Sequence, residues 1–185
     1  MFIQTEDTPN PETLKFIPGS VVLKTGTADF SSKDFTTDSP LASRLFEIEG
    51  VSRVFLAIDF ISVTKDPQLD WNNIKPLILT AIMEHYSTGL PAINETEDKQ
   101  LASPNDEDSE TIKQIKDLLE TRVRPAVAMD GGDITFCSFE SGVVTLQMKG
   151  ACAGCPSSTA TLKMGIENML RHYIPEVTEV RAAEL

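Results

Sequence analysis

Cys152 and Cys155 are the one constellation in this chain whose residue types and spacing carry chemistry. Two cysteines three positions apart can place both sulfurs on one metal ion or on one edge of a cluster. Pro156 follows the second cysteine and suits the first position of a helix, so the spacing predicts Cys155 at a helix N-terminus. Unpaired N–H groups and the positive end of the helix dipole favour an anion there. Thiols in such settings have pKa values as low as roughly 3.5–7.5. Gly150 and Gly154 let the backbone approach sulfur with no Cβ in the way. Four readings compete: iron–sulfur ligation shared between two chains, a thioredoxin-like dithiol, zinc, and two small buried residues with no ligand.

Residue counts weigh these readings. Zinc takes four ligands in a closed site, and the chain can add only Cys137, His85 or His172. His172 falls at the far end of the helix that starts at Pro156, about 25 Å away at 1.5 Å per residue. A closed single-chain zinc site is therefore disfavoured. The dithiol reading is stronger, because thioredoxin-type motifs also begin a helix after a strand. Here, however, the pair follows a hairpin and is trailed by one helix and one strand, and proline comes after the second cysteine rather than between the two. Two thiols at an open helix start are unusual as core filler.

The elements around the pair follow from periodicity. Apolar residues Ile112, Ile115, Leu118, Leu119 and Val123 predict a helix over 110–124 that Pro125 stops. Asp130-Gly131-Gly132-Asp133 reads as a turn rather than a carboxylate pair. Residues 134–139 and 143–148 predict a hairpin around Glu140-Ser141-Gly142. The helix after the cysteines carries Leu162, Ile166, Met169, Leu170 and Tyr173 on its buried face and ends before Pro175. Residues 177–181 predict a last strand, for an order α-β-β-α-β. Cys137 alternates with Phe136 and Ser138 along its strand and reads as a half-buried packing residue.

The first half of the chain has no cysteine. Residues 2–4 and 14–16 read as short strands around a proline-punctuated loop. Ser39-Pro40 signals a helix start, and Gly50 its end. Residues 51–58 and 61–65 predict a hairpin. Asp70 caps a longer helix with Ile74, Leu77, Ile78, Ala81 and Ile82 on its apolar stripe, Pro76 either kinking it or marking its true start, and Gly89 closing it. His85 lies on that stripe and reads as a satisfied structural histidine. With two histidines in different predicted domains, a Ser-His-Asp site is a poor fit. Residues 7–11 read as a rigid surface loop, a candidate contact for another protein.

Between the halves, residues 87–109 hold six acidic residues, one basic residue and two prolines. They predict a solvated linker extended by its own charge. The expected organisation is two small α+β domains, residues 1–88 and 110–185, joined by an acidic linker over 89–109. The chain has 185 residues, 28 acidic against 16 basic, and a net charge of −12. That sign disfavours nucleic acid and anionic membranes as partners. The longest apolar run spans only residues 54–58, against the roughly 20 residues of a membrane span. The N-terminus shows no basic n-region or apolar h-region of a secretory signal and no arginine-rich transit pattern. A low, clustered cysteine count points to metal or redox chemistry rather than a disulfide framework.

A family resemblance now bears on the cysteine pair. Met129-Asp130-Gly131-Gly132-Asp133-Ile134, Gly142-Val143-Val144 and Gly150-Ala151-Cys152-Ala153-Gly154-Cys155-Pro156-Ser157-Ser158 resemble the C-terminal domain of the NifU/Nfu family of iron–sulfur cluster carriers. Phe2-Ile3-Gln4-Thr5-Glu6-Asp7-Thr8-Pro9-Asn10-Pro11 and Leu14-Lys15-Phe16 resemble its N-terminal domain. The resemblance covers both halves in the family's order. It implies that Cys152 and Cys155 bind a [4Fe–4S] cluster, iron with labile sulfide, which passes to apo iron–sulfur proteins. Cys137 matches no motif position.

The expectation is thus a scaffold or carrier of iron–sulfur clusters, not an enzyme in the turnover sense, with the N-terminal half recognising donor or acceptor proteins. A [4Fe–4S] cluster takes four thiolates and one chain offers two at the motif, so a homodimer is expected when the cluster is loaded. An upstream cluster scaffold would be the donor. The alternatives are a dithiol oxidoreductase using the same pair and a pure adaptor with an incidental thiol pair. The intact Met1 favours a bacterial cytoplasm, with a processed mitochondrial matrix protein not excluded.

Overall fold

A computed structural model describes residues 2–94, 109–154 and 156–183, and their contacts separate into two units, Met1–Lys99 and Gln100–Leu185. Both mix helices with sheet, so the chain is α+β. The linker expected over 89–109 falls mostly outside the described residues.

In the first unit β1 (Gln4–Asp7), β2 (Thr13–Ile17), β3 (Ala28–Phe30), β4 (Val51–Leu56) and β5 (Ile61–Lys65) form one sheet in the order β1-β2-β5-β4-β3. Every neighbouring pair is antiparallel. Two helices, α1 (Pro40–Phe46) and α2 (Trp71–Thr88), pack on it. Their Leu41, Leu45, Ile74, Ile78 and Ile82 meet Leu14, Phe16, Val54, Leu56 and Ile61 in one core. The helix start signals hold, but α1 ends at Phe46 and not at the expected Gly50. Ser39 caps α1, accepting from the Ala42 N–H at 3.1 Å, and Asp70 caps α2, accepting from the Asn72 N–H at 2.8 Å. Gly89 ends α2 with φ of 70°, a conformation glycine reaches without a Cβ clash.

Some details depart from the pattern. The first strand starts at Gln4 rather than Phe2, which is exposed. Strand β3 was not legible, because three residues carry too little alternation. Leu77 is exposed although it keeps helical spacing. Pro76 lies inside α2 and does not mark its start. His85 is buried, yet neither ring nitrogen makes a well-formed hydrogen bond among the described residues. It is therefore not the satisfied histidine expected.

In the second unit α3 (Glu110–Leu118), a π-helical turn (Leu119–Val123) and α4 (Arg124–Met129) run on without a break. The expected stop at Pro125 does not occur. Proline lacks an N–H, and its ring crowds the carbonyl four residues back. The wider turn just before it relieves that register, so Pro125 enters in the first turn of α4. Strand β6 (Gly132–Glu140) pairs antiparallel with β7 (Val143–Gly150), which pairs parallel with β8 (Glu179–Ala182). Helix α5 (Pro156–Tyr173) supplies the crossover between β7 and β8. Alternation along β7 buries Val144, Leu146 and Met148 against Ile115, Val127, Ile166 and Leu170.

Candidate functional site

The open end of the β6–β7 hairpin builds the site. Gly132 pairs directly with Gly150, and beyond that pair the Ala151 N–H donates to the Gly131 carbonyl at 3.2 Å. Gly131 and Gly150 both have positive φ, 81° and 61°. The chain can therefore leave α4 and enter β6 in a tight turn, and leave β7 by folding back over it. The Ala153 N–H donates to the Gly150 carbonyl at 3.0 Å. Thr159 on α5 donates its hydroxyl to the Cys152 carbonyl at 3.0 Å.

This fold-back buries Cys152, which is 6% exposed, between Ala151 and Ala153. A Cβ placed on Gly132 would lie 2.5 Å from the Cys152 Sγ and 2.7 Å from the Lys149 carbonyl oxygen. Burial pushes the Cys152 thiol up to about 12, and the negative charges of Asp130 and Asp133 add to it. That direction is opposite to the lowered pKa that a helix N-terminus suggested. The dipole acts within about one turn, and Cys152 lies in the loop before α5, where desolvation dominates. A thiol held neutral is a poor nucleophile for disulfide exchange.

Cys155, the second motif cysteine, lies outside the described residues. Cys137 is exposed on β6. The β6–β7 register shifts between Phe136 and Ser138, so Cys137 is the extra residue of a bulge and not the half-buried packing residue expected. Among the described residues no three His, Cys, Asp or Glu side chains are placed to hold a metal ion. No helix among them is long and apolar enough to cross a membrane.

Asp133 belongs to the site's support. Its carboxylate accepts from Arg124 Nε at 2.8 Å and Nη2 at 2.9 Å, and from the Ile134 N–H at 2.8 Å. Arg124 also reaches Glu120 at 2.7 Å. The pairing with Asp133 holds the Arg124 guanidinium even more firmly protonated than usual. Sequence reasoning took Asp130–Asp133 as a turn; the turn is Asp130–Gly131, and Gly132 and Asp133 already belong to β6. It missed that the second glycine is a contact surface for sulfur and that the second aspartate anchors α4. An arginine six residues before an Asp-Gly-Gly-Asp run was the available signal.

The family models match both units. "Scaffold protein Nfu/NifU N terminal" covers residues 3–89 and "NifU-like domain" covers residues 115–181. This chain belongs to the NifU/Nfu family. Among similar members, "NifU-like protein 4, mitochondrial" of Arabidopsis thaliana is 52% identical over 97% of this chain and 65% of its own length. Human "NFU1 iron-sulfur cluster scaffold homolog, mitochondrial" is 52% identical over 97% of this chain and 71% of its own. The chain spans between 63% and 71% of the length of such NifU/Nfu relatives. A solution NMR structure of a NifU-like protein from Saccharomyces cerevisiae covers 52% of this chain and 87% of its own, at 25% identity and a TM-score of 0.47.

These names overturn one expectation. The bacterial cytoplasmic location inferred from Met1 does not stand, because the similar NifU/Nfu proteins are named mitochondrial. The physical reason is that a folded domain meets similar aqueous solvent in either compartment. Core pattern and charge therefore do not encode the address, which receptors read from short signals.

Proposed function

We propose that this chain is an iron–sulfur cluster scaffold and carrier that acts in mitochondria. It binds a [4Fe–4S] cluster as cargo through Cys152 and Cys155 and passes it to apo-proteins. The observation that supports this most is the location of the cysteine pair within the region matched by the NifU-like domain, residues 115–181. Relatives at 52% identity named iron–sulfur cluster scaffold point the same way. Thiolates are the ligands of such clusters. Each thiol gives its proton to solvent on ligation.

With two motif thiols per chain, a second copy of the chain completes a four-thiolate set, its Cys152 and Cys155 related to the first by a two-fold axis. A site between chains opens when the copies separate, which suits cargo that must leave. The N-terminal unit, without cysteine, would select donor and acceptor proteins. The second unit is taken as 110–185; the first runs past the expected 88, because Ala92 is buried in its core and the Asn94 N–H donates to the Asp38 carbonyl, so the acidic tether expected over 89–109 begins after Asn94.

Anaerobic reconstitution with iron and sulfide tests the reading. The expected product is brown and dimeric, with about two iron atoms per chain and a [4Fe–4S] signature in the Mössbauer spectrum. Chelating the iron should return the monomer. A loaded protein that stays monomeric with a full cluster, without added thiol ligands, would sink the shared site. A colourless product with a reversible internal disulfide and reductase activity would support the dithiol alternative instead. A Cys152→Ser, Cys155→Ser double variant that still functions in cells would leave only an adaptor.

A further inference from the structure

The Cys152 thiol is turned inward. Its sulfur rests against the backbone of Gly132, at the one place on β6 where a Cβ would collide with it, 2.5 Å away. The same Cβ would lie 2.7 Å from the Lys149 carbonyl oxygen and 3.0 Å from the Cys152 backbone nitrogen. Real Cβ contacts are not that short, so the niche exists because residue 132 is glycine. Gly132 itself has no positive φ, so turn geometry does not demand glycine there. The close approach of sulfur and backbone does.

The segment carrying the thiol has the properties of a hinged flap. Gly150 and Gly154 bracket it with φ of 61° and 85°. Nothing lies within 4 Å of where a Gly154 Cβ would be, so that end has room to move. Polar contacts that hold the flap shut include the Ala153 and Ala151 N–H bonds to the Gly150 and Gly131 carbonyls and the Thr159 hydroxyl on the Cys152 carbonyl. A residue only 6% exposed offers little surface to a bridging cluster.

We propose that Gly132 is a positioning residue for cargo handling. It forms a niche that stows the Cys152 thiol when no cluster is present, and the 150–154 segment swings outward on Gly150 and Gly154 to present that sulfur. This rests on the carrier reading above, with Cys152 as a ligand. Loading then competes with stowage. The apparent affinity for cargo is lowered by the fraction of time the flap is open. When the cluster leaves, the thiol falls back into the niche, which disfavours recapture. Weak retention is therefore built into a wall that touches no cluster.

The test uses iodoacetamide on the full-length, iron-free, reduced protein, with each cysteine followed by peptide mass spectrometry. Rates are normalised to those of the same chain in guanidinium chloride. Cys137, exposed on β6, is the internal reference. Cys152 should label at least about tenfold more slowly than Cys137 after normalisation, since it reacts only from the opened flap. Gly132→Ala should raise the Cys152 rate toward that of Cys137 and leave Cys137 unchanged. After reconstitution, the same variant should lose its cluster to a chelator more slowly than the wild type.

Cys152 labelling as fast as Cys137 in the native wild type overturns the proposal, and so does a folded Gly132→Ala protein with an unchanged Cys152 rate. If Gly132→Ala loses its circular dichroism spectrum, the wild-type ratio alone decides. Failure of the carrier reading looks different, with slow Cys152 labelling in a wild type that takes up no iron and sulfide.

Discussion

Arg124 closes on Asp133 with two nitrogens, Nε at 2.8 Å and Nη2 at 2.9 Å, fastening the end of the long helix to the first residues of β6. The carboxylate is nearly buried, its side chain 6% exposed, while the arginine is 32% exposed. The two-pronged geometry makes this a stronger pair than a surface ion pair. Removing the cation takes the forked partner from a nearly buried carboxylate, which still accepts from the Ile134 N–H. Arg124→Ala should therefore cost about 2 kcal/mol of stability, below the 3–5 kcal/mol of a fully buried broken pair because water reaches the arginine side. Arg124→Lys should recover only part of this, since an ammonium cannot fork onto both oxygens. Urea denaturation of the three proteins measures the order, and an Arg124→Ala midpoint equal to wild type would refute it.

His85 makes the first unit sensitive to acid. Burial is the main reason its pKa lies below 6.5, the Arg44 charge adds to it, and a backbone contact at Leu90 opposes it weakly. Arg44 is itself paired with Glu84 at 2.9 Å, and the Tyr86 ring stands edge-on to the imidazole at 5.7 Å. The unfolded chain, with an ordinary histidine, then binds more protons than the native one between the lowered value and 6.5. Stability is full above pH 6.5 and is lost as pH falls through the folded-state value. His85→Leu should flatten this part of the profile and cost little at alkaline pH, because no well-formed hydrogen bond is broken. Melting temperatures across that range check it, and an unchanged slope in the variant would assign the effect to another group.

Ser39 is a cap with two duties. Its hydroxyl accepts from the Ala42 N–H at 3.1 Å and donates to the Ala92 carbonyl at 2.7 Å, fully buried. Ser39→Ala removes both and strands the Ala92 carbonyl. The expected loss is about 2 kcal/mol, the upper end for a helix cap. Ser39→Thr keeps the oxygen and should lose less unless the added methyl does not fit. A chemical-denaturation midpoint within error of wild type for Ser39→Ala would show that water replaces both bonds.

The cysteines should separate cleanly. Cys152→Ser or Cys155→Ser is expected to abolish cluster binding, while Cys137→Ser, changed at an exposed bulge on β6, should retain nearly all of it. Iron and acid-labile sulfide after reconstitution provide the readout. Equal loss in the Cys137 variant would mean that a third thiol belongs to the ligand set.

The second unit should also stand alone. Ile115, Val127, Leu146, Ile166 and Leu170 give it its own core. A fragment of residues 108–185 is expected to unfold cooperatively and still load a cluster. A molten fragment by near-ultraviolet circular dichroism would place the boundary elsewhere.

Much of this was legible in the chain because the signals are local. Ser39-Pro40, Asp70 and Gly89 bound their helices through chemistry confined to one turn, and the alternation of β7 needs only its own residues. The cysteine spacing and the turn at Asp130–Gly131 were likewise readable. What the linear pattern misjudged was decided by neighbours distant in sequence or by register. Pro125 stops an ordinary helix, but a π turn over Leu119–Val123 lets it pass and brings Arg124 to Asp133. Cys137 follows strict alternation, yet one bulge turns it to solvent. His85 keeps helical spacing, but only packing decides whether a buried nitrogen meets a partner. The direction of the Cys152 thiol is the sharpest case. The residue type and spacing identify it as chemistry. Whether the sulfur faces solvent or the Gly132 backbone depends on how β7 folds back across β6, and burial then outweighs the helix dipole.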